Sequence, residues 1–456
     1  MIWGPLIARV SPAWVALVVA VLVLLALGWW RLSRREVVAR RLMLRRLGKG
    51  WPVLAHECGL SLSGWSARAQ TRREQVEVVF PFWINTWGHP FGFTARFALL
   101  PGQTIDTWQA AAERLAAAWG AIRCLIRQDD PGTVTVTALQ LDPLAAPVPL
   151  PAAEQDAGLL AVPLGLREDG RPWVVDLSAT PHWLVVGATG SGKSTLLNAL
   201  VCALATRPVA LVGIDFKGGV ELAPYGPRLS RLAVDRAEAL PVLRALVRLV
   251  EDRRNLLRDA GARSIWDLPA QLQPLPVVLV VDEVAELFLD AGTGRAESQE
   301  IAGCSAAVLR LAQQGRALGV HLVVCGQRVS GDLGKGVTAL RAQLSGRVCL
   351  RVNDPETARM CLSDVTTDAV HTAERLDPTR PGLAVVSDVE SGWSVARGFA
   401  VDLEHARSIA EQTSGLRVPW EQLVPAPPGR ASTLPDLPPN IAALLTKDLS
   451  AGRADG

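Results

Sequence analysis

Lysine is nearly absent from this chain. Among 456 residues and 47 basic side chains it occurs five times, at Lys49, Lys193, Lys217, Lys335 and Lys447, so a lysine inside a motif is not there by compositional chance. Tyrosine occurs once. The seven cysteines, Cys58, Cys124, Cys202, Cys304, Cys325, Cys349 and Cys361, are odd in number and form no CxxC pair. That excludes a zinc ribbon or a disulfide framework and leaves small buried thiols in a reducing compartment. The six histidines are equally dispersed and offer no metal-ligand pair, and His182 and His321, beside apolar runs, read as core or strand-end residues. No internal repeat is present, which excludes a solenoid or a propeller. A net charge of +3 names no partner, because one basic cluster near the start exceeds it.

What is abundant is apolar: 49% of the residues. From Pro12 to Trp30 every residue is apolar or glycine, a run of about 19, enough for a helix to cross a hydrocarbon core of about 30 Å. No small-residue cleavage site closes it, so residues 1–30 read as a retained membrane anchor rather than a signal peptide. The basic segment 31–50 follows, with Arg31, Arg34, Arg35, Arg40, Arg41, Arg45, Arg46 and Lys49 opposed only by Glu36. This positive flank places everything after Trp30 on the cytoplasmic side of a single-pass protein.

Residues 51–150 mix strand patterns at Val76–Phe80, Phe93–Leu99 and Thr133–Leu141 with an Ala-rich helix at Thr104–Trp119, a small α+β domain left through the Pro-rich linker 147–151. In residues 151–418 strand and helix signals alternate. The apolar runs Trp183–Val186, Val209–Ile214, Val277–Val281, His321–Cys325 and Val348–Val352 read as strands buried on both faces, with helices at Arg236–Leu257 and Glu297–Leu318. Residues 419–456 read as a Pro-rich disordered tail whose apolar segment Ile441–Leu445 offers a docking point for accessory proteins.

The first motif with chemistry is Gly187-Ala188-Thr189-Gly190-Ser191-Gly192-Lys193-Ser194-Thr195, between a strand and a helix. Glycines let backbone N–H groups wrap a polyphosphate, and the helix directs its positive dipole end at the same charge. Lys193 is expected on the β and γ phosphates of ATP, Ser194 on Mg2+ and Thr195 in the first helical turn. The second motif is Val277-Val278-Leu279-Val280-Val281-Asp282-Glu283, a strand ending in two acids. Asp282 is expected to hold Mg2+ and Glu283 to polarise the attacking water as general base.

With further motifs in order, the chain resembles the FtsK/SpoIIIE family of DNA-pumping ATPases from about Pro163 to Met360. The added motifs are Pro163-Leu164-Gly165, Pro181-His182, Ile214-Asp215-Phe216-Lys217-Gly218-Gly219-Val220-Glu221-Leu222, and Gly315-Arg316-Ala317-Leu318-Gly319-Val320-His321-Leu322 running to Gly326-Gln327-Arg328. The resemblance implies an α/β, RecA-like P-loop NTPase motor with a parallel sheet, here preceded by a transmembrane helix and a small α+β domain. It also implies a homohexameric ring around double-stranded DNA at the bacterial cell membrane. Gln327 would sense the γ phosphate, and Arg316 would be offered across the subunit boundary, with Arg347 and Arg351 as rivals.

DNA contacts are expected from cationic glycine loops. The loop Gly331–Gly336 with Lys335, flanked by Arg328 and Arg341, is one; Lys217-Gly218-Gly219 is the other. Lysine and arginine there supply phosphate contacts without base reading. Phe216 stands where the family more often has proline, which puts the shape of that loop in doubt. One span, a short connection and no room for an orientation-reading winged helix make the layout similar to the compact actinobacterial plasmid-transfer proteins. The expected function is a membrane-anchored translocase moving plasmid or integrative-element DNA in conjugation. The alternatives are a motor for type VII-like protein export or for chromosome segregation.

Overall fold

The structure is a computed structural model and describes residues 50–65, 76–151, 158–289, 292, 294–327, 336–388 and 392–425. The expected anchor at 12–30, the basic segment as far as Lys49, Arg328, Lys335 and the apolar segment 441–445 lie outside these residues. Among the described residues no helix is long and apolar enough to cross a membrane. The chain divides into two compact units, one formed by residues up to 146 together with 166–171, the other by 147–165 and the residues from 172 onward.

The first unit contains the paired strands β1 (Leu62–Trp65) and β2 (Val76–Val79) and a four-stranded antiparallel sheet of β3 (Trp83–His89), β4 (Gly92–Ala98), β5 (Arg123–Arg127) and β6 (Thr133–Leu139) in the order β3-β4-β6-β5. Strand alternation sends Phe93, Ala95 and Phe97 of β4 and Val134 and Val136 of β6 to one face, where they bury with Trp51, Trp108, Leu115 and Trp119 from the helices. The rings of Trp51 and Phe97 lie 4.4 Å apart, and those of Trp51 and Trp108 stack at 5.9 Å. The helix expected over Thr104–Trp119 is two helices, Ile105–Gln109 and Ala112–Trp119, with the break just after the fully buried Trp108. Across the other face, Thr94 and Thr137 are buried with their hydroxyls 3.2 Å apart. The turn at 167–171 is tied down there by the ion pairs Arg123 to Glu168 at 3.0 Å and Arg127 to Asp169 at 3.3 Å.

The second unit is built on one ten-stranded sheet. Its strands are β7 (Ala161–Arg167), β8 (Pro172–Asp176), β9 (His182–Val186), β10 (Ala210–Asp215), β11 (Arg231–Ala233), β12 (Val277–Asp282), β13 (Val320–Gly326), β14 (Gly346–Leu350), β15 (Leu383–Asp388) and β16 (Gly392–Gly398). The order is β11-β10-β12-β13-β9-β14-β15-β16-β7-β8. The six strands from β11 to β14 are parallel, and every residue of β9, β10, β12, β13 and β14 is buried, as their unbroken Val and Leu runs require.

Helices cover both faces of this region. Val277, Leu279 and Val281 join a core with Val242, Leu246 and Val250 of the helix Arg236–Ala260 and Val308 and Leu311 of Arg295–Gln314. On the opposite face Trp183, Val185, Val323 and Cys325 meet Leu196, Leu197 and Leu200 of the helix Lys193–Ala205.

Two expectations are corrected. The sheet is not wholly parallel, because β15 runs antiparallel to β14 and β16 antiparallel to β15. The short connection between β15 and β16 allows a hairpin, whereas a parallel pair needs a crossover of a dozen or more residues. The fold also continues past residue 418: Trp420–Leu423 forms a helical turn, and Leu423 and Val424 bury in the main core. All seven cysteines are buried, unpaired thiols.

Candidate active site

The phosphate loop leaves the C-terminal end of β9 between two parallel neighbours, and both hold it. The Gly187 N–H donates to the Gly326 carbonyl of β13 at 3.2 Å, and the Ala188 N–H donates to the Arg351 carbonyl beyond β14 at 2.9 Å. Gly190 and Gly192 take the left-handed conformation, with φ of +75° and +97°. A Cβ at Gly192 would lie 2.5 Å from the Gly382 nitrogen, whose N–H donates to the Ser191 carbonyl at 2.8 Å. The loop conformation therefore requires glycine and is fixed before any ligand is considered. Lys193, Ser194 and Thr195 then open the helix Lys193–Ala205, whose first N–H groups have no partner inside the helix.

The parallel register sets Asp282 beside Asp215 at the ends of β12 and β10, with β13 between β12 and the strand that leads into the loop. Lys193 Nζ donates to Asp282 Oδ1 at 2.5 Å, with both side chains buried. Burial pushes the Asp282 carboxyl up, but Lys193 and then Lys217 more than reverse this and hold it below the usual carboxylate range. Burial likewise works against the charge on Lys193, and the acidic groups around it raise its pKa overall. Of these, Cys325 is a neutral thiol at pH 7, since burial pushes it to about 12, so Asp282 carries the effect.

Glu283 follows Asp282 with φ of +64°, and it is the non-glycine residue with a positive φ among the described residues. This backbone turns its carboxylate toward the end of β13, where Oε1 accepts the Gln327 N–H at 3.3 Å. Its Oε2 is buried and has no hydrogen-bond partner among the described residues. Strain of this kind persists where the surroundings impose it, and an unpartnered buried oxygen is what a water-polarising carboxylate presents.

Lys217 and Glu221 enter the site from a direction the sequence did not reveal. Asp215, fully buried, accepts the Lys217 N–H at 3.0 Å on one oxygen and the N–H groups of Glu221 and Leu222 at 2.8 and 3.0 Å on the other. These bonds curl the loop 216–222 back over the sheet end. Lys217 Nζ then lies 2.9 Å from Asp282 Oδ2, and the Ser194 hydroxyl donates to Glu221 Oε1 at 2.8 Å. Lys217, expected at a DNA surface, is thus found in the cleft. Glu221 and Asp215 carried no site assignment at all; a carboxylate that organises three N–H groups two, six and seven residues onward has no sequence signal of its own.

The result is a cleft of about 440 Å³ lined by the phosphate loop from Gly187 to Thr195, Lys217, Glu221, Gln327 and Pro381. Its donors fit a nucleotide bound with magnesium. The loop's N–H groups and two lysines suit polyphosphate, and Ser194 Oγ and Asp282 are the hard oxygens that ion prefers. Among the described residues no cluster of three or more His, Cys, Asp or Glu could hold a metal by itself.

The structure separates the three arginines. Arg347 is buried and spoken for, donating to Asp364 at 2.7 Å and to the Arg341 carbonyl at 3.0 Å. Arg351 clamps its own phosphate loop, donating to the Thr189 carbonyl at 3.0 Å. Arg316 sits in the turn before β13, at the sheet edge opposite the phosphate loop, because β13 and β9 are parallel. Seven residues of strand put that edge about 20 Å away, so Arg316 does not reach its own cleft. The turn is rigid: Arg253, buried, donates to the Leu318 and Gly319 carbonyls at 2.7 and 3.2 Å. The Arg316 side chain is exposed and makes no ion pair among the described residues. Arg341 lies half-buried on the helix Val337–Gln343, close enough to Asp364 to help hold its carboxyl down, after the Arg347 hydrogen bond.

Comparison with known proteins gives the family. Residues 151–272 and 266–331 match the FtsK/SpoIIIE family, and residues 26–140 match the actinomycete conjugal transfer protein N-terminal domain. The transfer protein TraSA of Streptomyces ambofaciens is 42% identical over 332 residues, covering 70% of this chain and 79% of that protein. The DNA translocase FtsK of Chlorobaculum tepidum is 34% identical over 222 residues, 44% of this chain but 26% of its own length. In fold, the chain is similar to the pCW3 conjugation coupling protein TcpA in its monomer form with ATPgS, with a TM-score of 0.52 at 20% identity over 80% of this chain and 98% of that one. A phosphate loop, an acid-ended strand and 42% identity across most of a transfer protein's length place the chain in the FtsK/SpoIIIE family of P-loop ATPases, among its actinomycete conjugal transfer proteins.

Proposed function

We propose that this protein is a membrane-anchored translocase that uses ATP to move double-stranded DNA in conjugal transfer. The observation that carries the reading is the site itself: the phosphate loop lines the cleft, Lys193 in that lining holds the buried Asp282, and Glu283, with its Oε2 unpartnered, meets the lining residue Gln327. Binding alone needs only the loop and Lys193; Glu283 adds turnover.

In this reading the loop and Lys193 hold the β and γ phosphates, and Ser194 and Asp282 hold Mg2+, which screens the phosphate charge. Glu283 takes a proton from the attacking water through Oε2, and Gln327 registers the γ phosphate. Arg316, exposed and rigidly mounted on the far sheet edge, serves the neighbouring subunit's cleft, which requires a closed ring; we take this to be a homohexamer. The cationic stretch containing Arg328, Lys335 and Arg341 follows Gln327 directly and is the DNA-contacting element. The run at 12–30 anchors the ring with its motor on the cytoplasmic side, and the segment at 441–445 is left for accessory transfer proteins.

The test is ATP hydrolysis by the detergent-solubilised full chain, with and without double-stranded DNA of unrelated sequences. DNA of any sequence should stimulate turnover several-fold, less so as salt rises, because phosphate contacts release counterions. Turnover indifferent to DNA, or stimulated only by a secreted protein, would refute the translocase.

A further inference from the structure

Both protein oxygens that magnesium would use are engaged by one loop. Lys217 Nζ lies 2.9 Å from Asp282 Oδ2, and Glu221 Oε1 takes the Ser194 hydroxyl at 2.8 Å. The loop that carries them is anchored at its base by Asp215, while Gly218 and Gly219, both in the left-handed conformation at φ of +70° and +83°, let it turn sharply. Lys193 already occupies Asp282 Oδ1, so the aspartate has one charged partner on each oxygen.

We propose that Lys217 is an exchangeable counter-cation for Asp282, which magnesium displaces when it binds with nucleotide. The inference rests on the nucleotide reading of the cleft. Electrostatics supports an exchange rather than a shared site: a lysine and a divalent cation on the same carboxylate oxygen repel each other, and Asp282 is 1% exposed, so water screens little of that repulsion. Lys193 cannot be the group that yields, because it is buried and opens the phosphate helix. Lys217 can, since its side chain is 36% exposed and Glu221 lies 3.9 Å from it as a partner that leaves with the same loop. Glu221 also frees the Ser194 hydroxyl when it moves, so one displacement uncovers both oxygens. The consequence is a penalty on metal binding that Lys217 sets.

The experiment measures binding of a fluorescent ATP analogue to the full chain across a magnesium titration, for wild type, Lys217→Met and Lys217→Arg. Removing a partly exposed competing ion pair should lower the magnesium concentration at half-maximal effect by about fivefold in Lys217→Met. Lys217→Arg keeps the charge and should stay within about twofold of wild type. An unchanged or raised midpoint in Lys217→Met overturns the proposal and makes Lys217 an aid to metal binding. Absence of analogue binding to wild type at every magnesium concentration would instead sink the nucleotide reading.

A second readout needs no variant. With five lysines in the chain, acetylation by an amine-reactive ester can be followed at Lys217 by mass spectrometry without ambiguity. Its rate should rise several-fold when magnesium is added to the nucleotide complex kept first in EDTA. An unchanged or slower rate overturns the exchange.

Discussion

Replacing Glu283 with glycine should abolish turnover and leave the fold at least as stable as before. The left-handed backbone at φ of +64° costs a residue with a Cβ about 1–2 kcal/mol, and glycine removes that cost. The buried Oε2 without a partner adds about 1–3 kcal/mol of desolvation that the wild type bears. Against these, glycine's greater freedom in the unfolded chain takes back about 0.5–1 kcal/mol. Losing the long 3.3 Å bond to the Gln327 N–H, which water can replace at that exposed residue, costs about 0.5 kcal/mol. The balance is a gain of about 0.5–4 kcal/mol, worth about 1 °C or more in Tm for a domain of this size.

The chemical step moves the other way. Loss of a positioned general base lowers its rate by about 10²- to 10⁴-fold. Glu283→Gln separates the two effects: it keeps the strained backbone and the acceptor for Gln327 but cannot take a proton, so it should lose the same rate with a Tm near wild type. Thermal melts, analogue binding and phosphate release at saturating ATP and magnesium read all three variables. A fall in Tm of more than about 2 °C in the glycine variant would refute the strain argument. Glu283→Gln turning over at wild-type rate would refute the base assignment.

Acid should destabilise the motor unit through His182 and His321, which burial holds neutral with pKa values lowered to about 3 and about 4. The unfolded chain takes up these protons near pH 6.5 and the folded one does not, so the stability present above pH 6.5 is lost as pH falls toward 4, by up to about 3 kcal/mol per histidine. In urea melts across that range the stability of wild type relative to His321→Leu should fall as pH drops, and a constant difference between them refutes it. Arg316→Ala and Lys193→Ala should each lose ATPase activity, about 10³-fold for the arginine, yet recover part of it when mixed in one ring, because intact loops then face intact arginines across subunit boundaries. A mixture no better than its components would remove Arg316 from the neighbouring site.

The phosphate loop and the acid-ended strand were legible because their chemistry demands particular residue types at fixed spacing. The parallel strands were legible because burial on both faces leaves an unbroken apolar run, as at Val277 to Val281. The antiparallel wing was not. Ala161–Arg167 contains a proline and a glycine, and Gly392–Gly398 is only partly buried along its length, so neither shows the run or the alternation that marks a strand. The aromatic core of the first unit was equally hidden, since Trp51, Trp108 and Trp119 meet only after the helices Trp51–Glu57, Ile105–Gln109 and Ala112–Trp119 close on one sheet face. Arg316 was readable as a candidate, whereas its separation from Arg347 and Arg351 required their partners.

Lysine scarcity nevertheless carried more information than the motifs extracted from it. Arginine spreads its charge over a planar fork that demands space and several acceptors, as Arg228 shows by spanning the carbonyls of Ala205, Arg207 and Val209. At Asp282 two cations approach one buried carboxylate at 2.5 and 2.9 Å, one on each oxygen. Where the cation is itself buried, as Lys193 is, a compact ammonium on a thin stem needs less room and fewer acceptors. A chain that uses arginine for nearly every other positive charge therefore keeps lysine where the charge must be small, and two of its five lysines meet at this single residue. What the sequence could not supply was the fold of the loop between them, because the bond pattern of Asp215 that turns Lys217 inward exists only once β10 and β12 lie side by side.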